Sequence, residues 1–219
     1  MKKPQQNHLL RHTTSFLILP IRICTQVSRV TSDKCYKNLL SGGPDGEIGA
    51  SMRYLSQRFT ASNRTAMAVL TDVGTEELAH LEMVATIVHQ LTRNLSAEEL
   101  EKAGFAPYYV DHTVGIWPQS AGGYPFSTAE LQSTGDPVAD LFEDLAAEQK
   151  ARLTYDNILR LVKDPEVADP IRFLRAREIV HFQRFGEALR ATQEQLETRN
   201  FYAFNPSFDA PVSCPPCTK

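Results

Sequence analysis

The 219-residue sequence predicts an all-α protein, and three observations lead to that prediction. Apolar residues recur at helical spacing in four long segments, and no segment shows the polar–apolar alternation of a half-buried strand. The first two segments follow each other closely, as do the last two, while residues 105–135 between the pairs show no helical period. Two short-loop helix pairs joined by one long crossover are typical of a ferritin-like four-helix bundle, here with extended terminal segments.

The first helix pair is predicted from local start signals. Gly-Gly-Pro-Asp at 42–45 precedes an apolar periodic segment that ends near Phe59, and we expect a helix there. Asn63 predicts the N-cap of a second, much longer helix, because its side chain can accept a hydrogen bond from a free N–H group of the first turn. Apolar residues at helical spacing extend this helix to Leu91.

The crossover contains one short helix and a long aromatic segment. Ser96-Ala-Glu-Glu99 predicts a capping box that opens a helix, and Gly104 predicts its end. Residues 105–135 are rich in aromatic residues, glycine and proline, and loops of that length in a compact domain usually serve function or assembly. We therefore regard residues 105–126, together with the aromatic tail at 201–208, as candidate interaction surfaces.

The second helix pair shows the same start signal twice. Asp136 followed by Pro137 predicts an N-cap with proline at the first helical position, and the helix extends to about Leu161. Asp169 and Pro170 repeat this signal, so we expect the last helix to begin there.

The first 36 residues differ from the rest of the chain in charge. Residues 1–36 hold six basic residues and one acidic residue, a charge of +5 that leaves −8 for the rest of a chain of net charge −3. A basic head followed by a short apolar stretch resembles a signal peptide, but Pro20 and Arg22 interrupt the stretch. We expect a poorly ordered, atypical N-terminal extension at 1–36, a helical domain at 37–208 and a C-terminal tail at 209–219.

Composition excludes several classes of protein. A chain that is 42% hydrophobic and 22% charged is neither disordered nor a disulfide-dense scaffold. Its mild net charge gives no electrostatic reason to expect nucleic acid or an anionic membrane as a partner. No apolar run reaches the length of a membrane-spanning helix. Cys214 and Cys217 have C-x-x-C spacing but lack the second cysteine pair of a zinc site.

Two Glu-x-x-His pairs carry the chemistry, Glu77–His80 and Glu178–His181. The i, i+3 spacing places both side chains of a pair on one helical face. A single such pair more often lies on a solvated face. Here both pairs are flanked by apolar residues, such as Leu78 and Phe182, and we therefore expect both to be buried.

These pairs belong to an internal repeat. Glu47 precedes the first pair by the same 30 positions that separate Glu148 from the second, and the whole pattern recurs with an offset of 101. The same offset relates Tyr54 to Tyr155, and Tyr54 can face the same cavity and hydrogen-bond a ligand. Buried ionised carboxylates need pairing, which two divalent cations would supply. Carboxylates with one imidazole per metal and no thiolate suit manganese or iron rather than structural zinc.

Three neighbouring glutamates are expected to lie outside the site, whereas two arginines are left open. By helical spacing, Glu76, Glu82 and Glu143 point elsewhere. Arg175 and Arg177 flank the last pair, and either neutralisation of surplus carboxylate charge or ordinary solvation accounts for each of them.

The sequence resembles the manganese catalases, in particular the subgroup found as spore-coat proteins in endospore-forming bacteria. The resemblance covers roughly residues 37–208 and is carried by six motifs, at 42–47, 53–57, 72–83, 135–140, 147–148 and 177–181. It implies that two manganese ions are bound by five ligands: Glu47, Glu77, His80, Glu148 and His181, with Glu77 as the bridge. It also implies that Glu178 lies beside the cluster as proton acceptor and donor, whereas symmetry alone would make Glu178 a sixth ligand. Glu178 and Tyr54 are thus the candidate catalytic residues.

The same resemblance implies the reaction and the setting. Hydrogen peroxide would be converted to dioxygen and water by a homo-oligomer, typically a hexamer in this family. The protein would reside in the cytoplasm or in the spore coat, there with other coat proteins as partners. Some manganese catalases carry arginine where this chain has Ala147, which implies a more open channel here. Two alternatives stay open, namely a di-iron ferritin-like oxidase or peroxidase and a structural coat protein whose metal site stabilises an assembly.

Overall fold

The computed structural model describes residues 46–103 and 126–198, and within them it contains α-helices, one short 3-10 helix and no strand. The helices are α1 (Glu47–Gln57), α2 (Arg64–Thr92), α3 (Ala97–Ala103), α4 (Pro137–Leu161) and α5 (Pro165–Thr198), with the 3-10 helix at Thr128–Glu130. The all-α prediction is therefore confirmed. The predictions for 1–36, 201–208 and 209–219, and for all of 105–126 except its last residue, lie outside the described residues.

Four long helices form the bundle. Helix α1 packs on α2 and on α4, and α5 packs on α4 and on α2, so each long helix has two neighbours. The two helices of each pair are joined by short loops, and the crossover runs from α2 to α4. This is the predicted four-helix bundle, with a long connection between its helix pairs.

Two apolar clusters fill the bundle. One lies between α2, α4 and α5 and includes Ile87, Ile158 and Leu174. The other joins α1, α2, α4 and α5 and includes Leu70 and Phe185. Along both α2 and α5 the two clusters are separated by the Glu-x-x-His pair of that helix. The two apolar clusters therefore lie on either side of a polar layer, which contains both Glu-x-x-His pairs.

The predicted caps are present. The Asn63 side chain accepts a hydrogen bond from the Ala66 N–H at 2.8 Å. The capping box of α3 is reciprocal, since the Glu99 carboxylate accepts from the Ser96 N–H at 2.8 Å and the Ser96 hydroxyl accepts from the Glu99 N–H at 3.3 Å. The Asp136 carboxylate accepts from two N–H groups in the first turn of α4. These local signals were sufficient to place three helix starts.

The predicted start of the last helix at Asp169-Pro170 is wrong. Helix α5 begins at Pro165, five residues earlier, where Asp164 is the preceding residue and its carboxylate accepts from the Glu166 N–H at 2.9 Å. Both Asp-Pro pairs carry the same signal, and the earlier start also buries Val167 in an apolar cluster. Pro170 then lies inside the helix, where its missing N–H costs one hydrogen bond near the start.

Among the described helices, none contains an apolar segment long enough to cross a bilayer.

Helices α1 and α2 make a close crossing at Gly74. The Ser51 hydroxyl donates to the Gly74 carbonyl at 2.7 Å. A Cβ atom at position 74 would lie 2.9 Å from Leu55 Cγ and 3.2 Å from Tyr54 Cβ. Because α1 carries Glu47 and Tyr54, this contact fixes how deeply both side chains enter the polar layer.

A pair of glycine substitutions tests this contact. Gly186 lies inside α5, and a Cβ atom there would meet nothing within 4 Å. We expect Gly186→Ala to stabilise the protein by about 0.5–1 kcal/mol, because alanine is the better helix former. Gly74→Ala should instead cost roughly 1–3 kcal/mol, since the added methyl group overlaps α1. Urea unfolding followed by circular dichroism measures both. Equal stabilisation by the two substitutions would contradict a tight crossing.

Candidate metal centre

The polar layer brings together all seven residues that were predicted for the site. Helix α1 supplies Glu47 and Tyr54, α2 supplies Glu77 and His80, α4 supplies Glu148, and α5 supplies Glu178 and His181. Every one of these residues is at most 6% exposed. Residues more than 130 positions apart in the chain therefore share one buried layer.

Glu77 occupies the middle of this layer. Its Oε2 lies 2.6 Å from His80 Nδ1, and its Oε1 lies 2.7 Å from His181 Nδ1. The two imidazole rings are stacked, with centroids 5.3 Å apart and planes inclined by 21°. Each oxygen of one carboxylate thus faces the inner nitrogen of a different histidine.

Three further carboxylates approach the same nitrogens. Glu47 Oε2 lies 3.9 Å from His80 Nδ1, and Glu178 Oε1 lies 3.8 Å from the same atom. Glu148 Oε2 lies 3.5 Å from His181 Nδ1. Distances to the histidines therefore do not distinguish Glu178 from the predicted ligand Glu47.

Two tyrosines hold the outer carboxylates. Tyr54 donates a hydrogen bond to Glu148 Oε1 at 2.5 Å, as expected of a residue that orients a ligand. Tyr155 donates to Glu47 Oε1 in the same way. Tyr155 belongs to the repeat but was not predicted to act in the site, although the offset that maps Tyr54 onto it was the available signal. Each tyrosine holds the glutamate of the opposite half of the repeat.

The prediction that Glu76 points away from the site is wrong. Glu76 Oε1 lies 3.6 Å from His80 Nε2, and Glu76 Oε2 lies 3.3 Å from His181 Nε2. Arg177 donates to both oxygens of Glu76, from Nε at 2.6 Å and from Nη2 at 2.9 Å. The i, i+4 spacing of Glu76 and His80 was the signal for this contact. One carboxylate thus faces the outer edge of both imidazoles.

Other neighbours lie outside the site. Glu82 is exposed, and Glu143 forms an ion pair with Lys150 at 3.4 Å. Arg175 donates to the Asp156 carboxylate at 2.5 Å and does not belong to the layer. Of the two arginines that the sequence left open, the one that neutralises carboxylate charge beside the site is Arg177.

Burial and mutual proximity shift the pKa values of the layer. Burial raises the pKa of Glu47 and of Glu178 well above the usual value, and neighbouring carboxylates raise both further. Burial opposes the charge of Glu77 as well, but His181 and His80 outweigh it and lower the pKa of Glu77 to about 2. Burial likewise opposes charge on the imidazoles, yet the adjacent glutamates raise the pKa of His80 to about 10 and that of His181 to about 11.

The inward atoms of the layer fit bound cations. Glu77 Oε1 and His181 Nδ1 lie close together without the alignment of a hydrogen bond, and Glu148 Oε2 and Glu178 Oε1 also have no hydrogen-bond partner among the described residues. One donor atom from each of Glu77, His80, Glu178 and His181 lies within 4.8 Å of the others. Unpaired buried polar atoms are costly, and carboxylates with imidazoles suit hard or borderline divalent metals. The arrangement can hold a dinuclear centre.

A cavity of about 250 Å³, its opening included, adjoins these donors. Three alanines form part of its wall, so little side-chain volume separates the cavity from the carboxylates. Ala147 contributes only a methyl group to this wall. The complete lining consists of Glu47, Ala50, Tyr54, Glu77, Ala147, Glu148, Ala151 and Glu178.

Comparison with known proteins gives consistent matches. A family model for manganese containing catalase matches residues 32–203. Protein CotJC of Bacillus subtilis strain 168 is 46% identical over 161 residues, which cover 74% of this chain and 85% of that protein. A probable manganese catalase of Clostridium acetobutylicum is 34% identical over 160 residues, 73% of this chain and 71% of that one. Among solved structures, KatB, a manganese catalase from Anabaena PCC7120, has a TM-score of 0.63 and 30% identity, covering 72% of each chain.

Metal uptake by this layer should release protons. In the metal-free protein both imidazoles hold a proton at pH 7, because their pKa values are raised to about 10 and 11. A cation must displace these protons, so binding should strengthen as pH rises. Loss of the two imidazole protons alone corresponds to an increase in apparent affinity of ~100-fold per pH unit, and a proton released by Glu47, whose pKa burial raises, would add to it. Calorimetric titration with manganese(II) in buffers of different ionisation enthalpy counts the protons. Binding without proton release would contradict this arrangement.

Proposed function

The chain belongs to the family of manganese-containing catalases, and we propose that it disproportionates hydrogen peroxide to dioxygen and water. The observation that carries the proposal is the position of Glu77 between His80 and His181, at 2.6 and 2.7 Å from their inner nitrogens. A carboxylate with one oxygen beside each histidine can bridge two cations. This supports a dinuclear rather than a mononuclear centre.

We propose the ligand set that the family resemblance implies. Glu47 and His80 would hold one ion, Glu148 and His181 would hold the other, and Glu77 would join the two. Manganese is the metal that the family name supports, and iron is the alternative with the same ligands. When bound, the two ions would store the two electrons that one peroxide gives up and the next one accepts.

The tyrosines determine how the outer carboxylates face the ions. Tyr54 and Tyr155 each donate to the Oε1 atom of one glutamate, so the Oε2 atom of Glu148 and that of Glu47 are left facing the histidines. A carboxylate held by a hydrogen bond from behind would keep its orientation toward a bound ion. Tyr54 therefore acts by positioning Glu148 on the side where the cavity opens.

We propose that Glu178 moves the proton. In the repeat it is equivalent to Glu77, yet its Oε1 comes only within 3.8 Å of His80. Glu77 already lies between the two histidines and would serve as the bridge, so we assign the proton to Glu178, which also lines the cavity. Burial and neighbouring carboxylates raise the pKa of Glu178, which suits a group that takes a proton from one peroxide and returns it to the next.

We also propose a setting for the protein. The identity to CotJC, 46%, exceeds the 34% to the probable catalase of Clostridium, and the sequence motifs resemble those of the spore-coat subgroup. Residues 37–208 would form the catalytic domain, with 1–36 and 209–219 as extensions. Exposed apolar side chains such as Phe59, Phe142 and Leu161 support assembly into a homo-oligomer, a hexamer by family resemblance, and contact with other coat proteins.

Metal analysis and gas evolution test the activity together. Purified protein should contain manganese, close to two ions per chain by family resemblance, and should release oxygen from hydrogen peroxide without any added reductant. Plasma mass spectrometry and an oxygen electrode measure these two quantities. An iron-loaded protein that releases no oxygen would favour the oxidase alternative and overturn the proposal.

Glu178→Gln separates catalysis from assembly. We expect kcat to fall by about 10²- to 10⁴-fold, because glutamine keeps the shape of the side chain but cannot carry the proton. Metal content and oligomer size should stay unchanged, as measured by metal analysis and light scattering. Glu82→Gln, at an exposed glutamate of α2, is the matched control and should retain full activity. If assembly also fails in Glu178→Gln, the structural-coat alternative gains support.

A further inference from the structure

A second set of buried polar groups lies on α4 beside the metal centre. Asp140, Asp144 and Glu148 follow each other at intervals of four residues and therefore lie on one face of the helix. They are 2%, 0% and 1% exposed. Glu148 belongs to the centre, whereas the function proposed above uses neither aspartate.

The two aspartates differ in their hydrogen bonds. Asp140 is fully occupied, since it accepts from the Thr134 N–H at 2.7 Å, from the Thr134 hydroxyl at 2.8 Å and from the Gly135 N–H at 3.1 Å. Neither oxygen of Asp144 has a hydrogen-bond partner among the described residues. Asp140 thus anchors the loop before α4, whereas Asp144 has the charge of the buried Arg53 guanidinium nearby but accepts no hydrogen bond from a described residue.

Gln57 faces Asp144 from α1, and its side chain is likewise buried without a hydrogen-bond partner among the described residues. It is 3% exposed, and within residues 46–103 and 126–198 neither its amide nitrogen nor its oxygen has a hydrogen-bond partner. Burial raises the pKa of Asp144 well above the usual value, and the carboxylates of Glu148 and Asp140 raise it further, whereas Gln57 and the Arg53 guanidinium lower it in part. Asp144 and Gln57 nevertheless lack the geometry of a direct hydrogen bond. Four buried polar atoms in one place are the setting in which proteins hold ordered water.

Two cavities lie close to this pair. The first is the cavity of the metal centre, which Tyr54 and Glu148 line. The second encloses about 210 Å³, its opening included, and is lined in part by Gln57 and Asp140. Asp144 lines neither cavity but stands one helical turn from Glu148, which lines the first, and one turn from Asp140, which lines the second.

We propose that Asp144 and Gln57 bind ordered water and that this hydrated pair conducts protons between the metal centre and the second cavity. The inference rests on the proposed function. Asp144 can both donate and accept when it is neutral, and the amide of Gln57 can orient water without gaining or losing a proton itself. The Tyr54 hydroxyl, bonded to Glu148, is the point at which the path meets the centre.

The proton balance of the reaction explains why such a path is useful. Oxidation of one hydrogen peroxide to dioxygen releases two protons and two electrons, and reduction of the next to two water molecules takes up the same two protons and two electrons. A single carboxylate such as Glu178 can hold one of the two protons. The hydrated pair would take the other one away from the centre and return it.

A crystal structure of the manganese-loaded full-length protein tests whether the proposed water is present. We expect at least one ordered water bonded to both Asp144 and Gln57. Asp144→Asn should keep this water, and Asp144→Leu should lose it. A direct Asp144–Gln57 hydrogen bond with no water in the wild-type protein would overturn the inference without affecting the proposed function.

The proton path is tested by kinetics on protein of equal metal content. We expect Asp144→Asn to lower kcat about tenfold with KM unchanged and to increase the solvent deuterium isotope effect, because asparagine holds the water but cannot pass a proton. Gln57→Met should act in the same direction and serves if the first variant does not fold. Asp156→Asn, at an aspartate of α4 paired with arginines, is the control and should behave as wild type.

The outcomes separate the two proposals. An active wild-type enzyme whose Asp144→Asn variant keeps the wild-type kcat and isotope effect would overturn the proton path alone. A manganese-loaded wild type that releases no oxygen would overturn the proposed function, and the path would fall with it even where the water is present.

Discussion

The cost of burying carboxylates governs this structure. Glu47, Glu77, Glu148 and Glu178 lie in one layer with apolar clusters on both sides, where an ionised group cannot be solvated. Protons relieve that cost in the metal-free protein and cations would relieve it in the loaded protein. The ion pair of Glu76 with Arg177 lowers the same cost, because Glu76 faces the outer edges of both imidazoles while Arg177 balances its negative charge.

The internal repeat explains how one layer receives matched groups from both halves of the chain. Residues 101 positions apart are equivalent, and the equivalent tyrosines make equivalent hydrogen bonds, Tyr54 to Glu148 and Tyr155 to Glu47. Each half of the repeat therefore orients a proposed ligand of the other half. The equivalence ends at the outer edge of the two imidazoles. Glu76 and Arg177 are also 101 positions apart, and there an acid meets a base. Two like charges at that place would repel each other, whereas the unlike pair binds the two halves together.

The sequence predicted what local chemistry decides and failed where distant contacts decide. Caps at Asn63 and Asp136 are read from a few residues, and both are present. The start of α5 was misplaced because two Asp-Pro pairs give the same local signal and only the burial of Val167 separates them. The apolar flanks used to argue for burial, Leu78 and Phe182, are themselves 46% and 37% exposed. The histidines are buried by the opposite helices, and the sequence alone does not show those contacts.

The form of the cavity helps to decide whether the centre is a catalytic metal site or a purely structural one. A metal that serves structure alone is closed off by its protein ligands, whereas a catalytic metal keeps an open side. Here alanines at 50, 147 and 151 line a cavity that adjoins the carboxylates, and Glu178 faces the same space. A purely structural site would need neither that space nor a fourth carboxylate, Glu178, whose pKa is raised by burial. The open wall therefore favours turnover at the centre, and a role in a coat would be carried by the outer surface of the same bundle.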